Sequence, residues 1–399
     1  MIPRTLRLLP AALTIVALSA CAPPAESSPP ATPASGDGHG AIAGAAEIAE
    51  PPLGLLSIDA AGRASVLDLG TEETTALDRT AAPSALASDG RYGFVTTKEG
   101  LEVIDSGRWS WDHGDHFHYY LAEPTRVGTV VGEGVATVVT GALSTAGATG
   151  VFFDGSDEAI LLDNRALSRG EIEELFRIEV NADAGLVAPV GEGALVTIGD
   201  TLVYHDSSGE PAHSSIDCVD AAGAITTRVG LVVGCADGAV LATWQDAELT
   251  VEHIPYPSGA VERAVSFDGR KGRPTVAAVA GTTGVWLLDS RERSWTLVPT
   301  ERPLTRVTAV DDAEGHVVAV DIDGRIVVHR ADGGALVGAT APLLADGGVA
   351  SSLTVDEDRA YISDPAAGVV HEVDYADAAR VARSLETPTT PVYVAEVGR

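Results

Sequence analysis

The chain has 399 residues, with 57 acidic against 26 basic side chains and a formal net charge of −31. So acidic a surface repels nucleic-acid backbones and anionic lipid headgroups, which excludes a polyanion-binding role, and it draws cations in over a long range. Solubility outside the cell, or adaptation to salt, would produce the same bias, so the charge alone names no function.

The first element in chain order is an export signal. Arg4 and Arg7 precede an apolar run from Leu8 to Leu18, too short to span a hydrocarbon core of about 30 Å as a permanent helix. The residues Leu18-Ser19-Ala20-Cys21 resemble the bacterial lipobox. That resemblance implies a lipoprotein signal peptide over 1–20, cleavage before Cys21, lipidation of its thiol, and anchoring to the extracytoplasmic face of the cytoplasmic membrane. Residues 21–46 are rich in Pro, Ser, Ala and Gly, with almost nothing to bury, and read as a disordered tether.

Residues 47–399 have an all-β grammar. Strand-like runs of Val, Ile, Leu and Thr alternate with DG, GG, EG and AG turns, as in LGLLSID-AAG-RASVLDLG from Leu53 and GHVVAVD-IDG-RIVVHR from Gly315. Such hairpins recur near 53–80, 84–125, 126–181, 187–221, 223–256, 260–300, 304–342 and 349–386. A four-stranded unit cannot bury both faces alone, so units of this period stack around an axis as a β-propeller. The count predicts eight blades, with seven as the alternative because 126–181 is irregular. The last strand, VYVAEV over Val392 to Val397, is expected to join the first unit and close the ring. Leu167 to Arg177 reads as a short helix or a polar excursion.

Cys218 and Cys235 are the cysteines left after Cys21. In an oxidising compartment they are expected to form a disulfide bond, on neighbouring strands either side of a turn at Ala222-Gly223. A thiolate metal site would want the closer CxxC spacing.

The one dense stretch of chemistry is SGRWSWDHGDHFHYY, Ser106 to Tyr120. His113, His116 and His118 lie within six residues, beside Asp112 and Asp115 and between aromatic pairs. In an extended segment His116 and His118 share a face, and a turn at Gly114 would bring His113 round to them. Three imidazoles and a carboxylate suit tetrahedral Zn²⁺, with further carboxylates available to orient a ring N–H. Calcium wants six to eight oxygens and fits poorly, whereas copper and nickel would accept the same donors. The alternative is a set of exposed loop histidines with the aromatics packed beneath them. Asp37, His39, His205 and His213 are accessory metal-ligand candidates.

On DHGDHFHYY, the propeller-like grammar and the paired central cysteines, the chain resembles the AztD family of extracytoplasmic zinc chaperones encoded with zinc ABC transporters. The resemblance implies a zinc site in the central region of a β-propeller and delivery of zinc to the transporter's solute-binding protein. It implies no catalysis, so the protein is not expected to be an enzyme. Carried onto this chain, the ligands fall among His113, His116 and His118, with Asp112 or Asp115. The competing class is a protein- or glycan-binding propeller whose metal is structural. A metal-dependent enzyme would need a base or nucleophile poised at the metal. A monomer is expected.

Overall fold

The computed structural model describes residues 42, 44–112, 116–180, 182, 184–259 and 262–399. The signal peptide, Cys21, Asp37 and His39 lie outside the described residues, as does the tether up to residue 41. Among the described residues no helix is long and apolar enough to cross a membrane.

The described chain is all-β: thirty-four strands and one four-residue α-helix, Asn164–Leu167. Eight antiparallel sheets succeed one another along the sequence, seven with four strands and one with three. Sheet I combines Gly54–Ile58, Ala64–Asp68 and Thr74–Ala76 with Tyr393–Val397, which pairs against Gly54–Ile58 from the far end of the chain. Sheets II to VIII begin at Pro83, Ala136, Val187, Ala224, Thr275, Leu304 and Leu353.

Within a sheet, composition follows position. Second strands such as Gly54–Ile58, Tyr92–Thr97 and His316–Asp321 are buried along their whole length. They therefore read as unbroken apolar runs, not as an alternation. Fourth strands such as Thr74–Ala76 and Pro211–Asp217 are mostly exposed and polar. Some of the turns between second and third strands are held by aspartate. Asp59 Oδ1 accepts the N–H groups of Ala61 and Arg63, and its other oxygen takes the Arg63 guanidinium at 2.6 Å. Asp321 repeats the arrangement with Asp323 and Arg325. At Gly62, φ is +84° and a Cβ would lie 2.3 Å from the Thr80 carbonyl, so only glycine fits.

The core is divided among these sheets. Among the described residues, apolar clusters sit between each sheet and its successor, for example Phe94 and Val103 of sheet II against Val151 and Ile160 of sheet III. The series ends with Tyr361, Val370 and Leu385 of sheet VIII packed on Leu55, Leu67 and Val394 of sheet I. At about 25 cal/mol per Å² of apolar area, interfaces of this kind supply most of the stabilisation.

Several sequence expectations move. Thr125–Val130, expected to open the 126–181 unit, is instead the fourth strand of sheet II, paired with Gly100–Asp105. The cause is a hairpin, Arg108–Asp112 with Phe117–Leu121, inserted between the third and fourth strands of that sheet. The Leu167 to Arg177 stretch contains the end of the short helix and the start of strand Glu174–Glu179. Ala46, expected in the tether, belongs to a three-residue strand, Ala46–Ile48, that pairs with Phe117–Leu121.

Candidate metal centre

The inserted hairpin is built by alternation. Trp109 pairs with Tyr120 and Trp111 with His118 across the two strands, so these four rings share one face. Trp109 and Tyr120 stack with centroids 5.1 Å apart, and Trp111 lies 5.7 Å from the His118 ring. Both members of the inner pair are buried. Beneath them the Arg91 guanidinium sits 3.8 Å from the Trp109 ring centroid, close enough for a cation–π contact, while Asp105 grips it from the side at 2.7 Å.

Three further hydrogen bonds, from two residues, fix the hairpin to sheet I and its flanking residues. Arg108 donates to Asp68 at 2.7 Å and to the Pro52 carbonyl at 3.0 Å. Ser110 Oγ donates to the Gly398 carbonyl at 2.9 Å. Burial pushes the Asp68 carboxyl up, but hydrogen bonds from the Thr71 N–H and the Arg108 guanidinium outweigh it and hold the group below its ordinary value.

The histidines lie at the tip. His118 is buried and His116 precedes its strand, and their Nε2 atoms face each other at 2.9 Å. On the far side of the His118 ring, Nδ1 meets Glu47 Oε1 at 2.6 Å. Glu47 comes from strand Ala46–Ile48, where it is register partner of Tyr120, so it reaches His118 along the diagonal of the same face. Burial, with the Glu47 carboxylate as a secondary cause, raises the Tyr120 phenol above its ordinary range. Asp112 is at the end of its strand, opposite Phe117. His113 and Asp115 lie outside the described residues, and among the described residues no group of three or more His, Cys, Asp or Glu is arranged to hold a metal.

The pair is nevertheless a fit for zinc. Bonds of about 2.0–2.1 Å at the tetrahedral angle place two ligand nitrogens about 3.3 Å apart. An opening of a few tenths of an ångström from 2.9 Å would admit the ion.

The accessory candidates are elsewhere. His205 is buried in sheet IV, its Nδ1 against the Gly209 carbonyl at 2.9 Å and its ring beside Phe176. His213 is exposed on the outermost strand of the same sheet. Cys218 and Cys235 form a disulfide with Cα atoms 5.0 Å apart. It does not join neighbouring strands of one hairpin as expected. Cys218 follows the last strand of sheet IV, Cys235 ends the second strand of sheet V, and both sit in the apolar cluster between those sheets.

No family model matches the sequence. Among solved structures, the crystal structure of Citrobacter koseri AztD superposes with a TM-score of 0.76, covering 88% of this chain and 99% of that one at 19% identity. The apo structure of the same protein gives 0.75 over 88% and 98%, at 18% identity. The chain has the AztD fold. A more distant likeness, TM-score 0.53 at 13% identity, is to the dihydro-heme d1 dehydrogenase NirN in complex with DHE, covering 88% of this chain and 76% of that one. AztD and NirN have the same general architecture in common with this chain, and at these identities the likeness speaks for the fold alone.

Proposed function

We propose that the chain binds zinc as cargo and passes it to the solute-binding protein of a zinc ABC transporter. The observation that carries this reading is the pair of facing Nε2 atoms of His116 and His118, one of them backed by a carboxylate. Metal-binding histidines characteristically give their second ring nitrogen to such a partner. His113 would supply a third nitrogen, and Asp112 or Asp115 the oxygen that completes a tetrahedron. The DHGDHFHYY resemblance supports zinc over other ions of similar ligand preference. A ligand set drawn from one hairpin tip leaves the ion open to attack by a partner's ligands, which suits a carrier more than an enzyme.

The domain plan belongs to the same proposal. The signal would occupy 1–20 and acylated Cys21 would hold a monomer on the outer face of the membrane. Residues 21–46 would act as tether, except for Ala46, and 47–399 as the propeller. Eight blades in a closed ring are supported by the eight sheets and by the apolar cluster that joins sheet VIII to sheet I.

A second reading, a non-catalytic propeller that binds protein or glycan around a structural metal, has one observation in its favour. Phe117 is 55% exposed and stacks parallel to Tyr119 at 6.3 Å on the outer face of the hairpin. The deciding experiment is zinc stoichiometry and affinity for the soluble domain beside a His113/His116/His118 triple alanine variant. One tightly bound zinc, lost in the variant, is the expected result. Equal and weak binding by both proteins would leave the second reading standing.

A further inference from the structure

The strand Ala46–Ile48 brings to the histidine hairpin a carboxylate that is 71 residues distant in sequence from its partner. Its contact is with the nitrogen of His118 that points away from His116. A carboxylate oxygen 2.6 Å from an imidazole nitrogen accepts a hydrogen bond from it, so the ring carries its hydrogen on Nδ1. Nε2 then presents a lone pair towards His116, the orientation a metal requires. With His118 in that state, the 2.9 Å contact makes His116 Nε2 the donor, and a cation bound there requires the His116 hydrogen to move to its own Nδ1, the ring staying neutral.

The surroundings fix the geometry. Trp111 lies beside the His118 ring from the opposing strand, and the Tyr120 ring lies 6.2 Å away at a 21° interplanar angle, so the imidazole is bordered by two aromatic rings. The side chain of His118 is 8% exposed but that of Glu47 is 48% exposed. The orienting carboxylate therefore stands at the rim, on an edge strand that makes only three register pairs. Lifting that strand would withdraw it without disturbing the hairpin itself.

We infer that Glu47 is a positioning residue of the metal site, fixing the tautomer and ring orientation of His118 and so setting how firmly the ion is held. The inference rests on the zinc reading above and deepens it. It predicts that Glu47→Ala in the full-length protein lowers zinc affinity by about 10- to 100-fold, the usual cost of losing such a partner, at unchanged stoichiometry. Glu47→Gln, whose amide oxygen still accepts the Nδ1–H, recovers most of that loss.

Zinc affinity is read by competition with a chromophoric chelator. The readout that a merely structural role would not move is the ¹⁵N spectrum of the metal-free protein, which reports the His118 tautomer directly. The wild type and Glu47→Gln are expected to show Nδ1–H, and Glu47→Ala to shift towards Nε2–H. Wild-type affinity in Glu47→Ala overturns the inference, whatever the tautomer. So does weakened binding with the Nδ1–H tautomer retained. A wild-type protein that binds no zinc overturns the functional reading instead. The spectra then decide whether Glu47 orients His118, and an unchanged tautomer in Glu47→Ala removes that role too.

Discussion

Glu396 offers a quantitative test of how the domain is held together beneath the hairpin. It lies in Tyr393–Val397, the late strand that completes sheet I, and it is 1% exposed. Arg399 Nη1 is 3.0 Å from Oε2, yet neither carboxylate oxygen accepts a well-aligned hydrogen bond among the described residues. Burial pushes the carboxyl from its ordinary 4.5 up to about 7, with Arg399 offsetting part of the effect and Asp356 adding to it. Between those two values the folded protein keeps a proton that the unfolded chain has released. Stability therefore falls as pH rises through the window, and above about 7 the whole cost is present. A shift of about 2.5 units corresponds to about 3 kcal/mol. Glu396→Gln preserves shape and removes the charge. It should match the wild type near pH 4 and exceed it by about 3 kcal/mol near pH 8. Urea unfolding at the two pH values, with chelator present so that bound metal does not contribute, measures the difference. An equal offset at both pH values, or a variant weaker than wild type near pH 8, would show that pairing with Arg399 outweighs burial and refute the reasoning.

Two more outcomes are expected. Arg91→Ala removes the cation under Trp109 and leaves Asp105, 13% exposed at its side chain, without its bidentate partner. A loss of about 3–5 kcal/mol in urea unfolding is expected, with faster amide exchange across 108–121. Replacing Cys218 and Cys235 by alanine should lower stability by about 3 kcal/mol, as expected for a cross-link spanning 17 residues. Zinc stoichiometry should be unaffected, because the bridge lies between sheets IV and V and not in the hairpin. A variant that loses zinc would refute that separation.

Much of the architecture was legible because it is written in local chemistry. The sequences DAAGR and DIDGR at Asp59 and Asp321 make the same aspartate-held turn, and the fully buried second strands announce themselves as apolar runs. The pairing of VYVAEV with the first sheet followed from the need to cover an edge. What stayed hidden depends on relations across the chain. The inserted hairpin does stand out, since Gly107 to Tyr120 breaks the recurring pattern, but nothing local says that the interrupted sheet resumes after it, so Thr125–Val130 reads as the start of the next unit. The disulfide falls between sheets because Cys218 lies just after a strand, in the crossing between sheets IV and V, a position that spacing alone does not reveal. Glu47 carries no local signal, being one of two glutamates, with Glu50, ahead of a proline pair. Three residues are too few for a periodicity, and its partner is chosen by cross-strand register.

The union of the two ends of the chain has a consequence for timing. Gly54–Ile58 is synthesised long before its neighbour Tyr393–Val397. Contacts so distant in sequence are slow to form and are not stable until the intervening chain is in place. The hairpin that bears His116 and His118 rests on the Gly398 carbonyl through Ser110. Its platform thus lies 288 residues further along the chain. A chain interrupted before that point would carry His116 and His118 and lack the surface that seats them, so the hairpin that bears them is fully supported only once Tyr393–Val397 and Gly398 have been made.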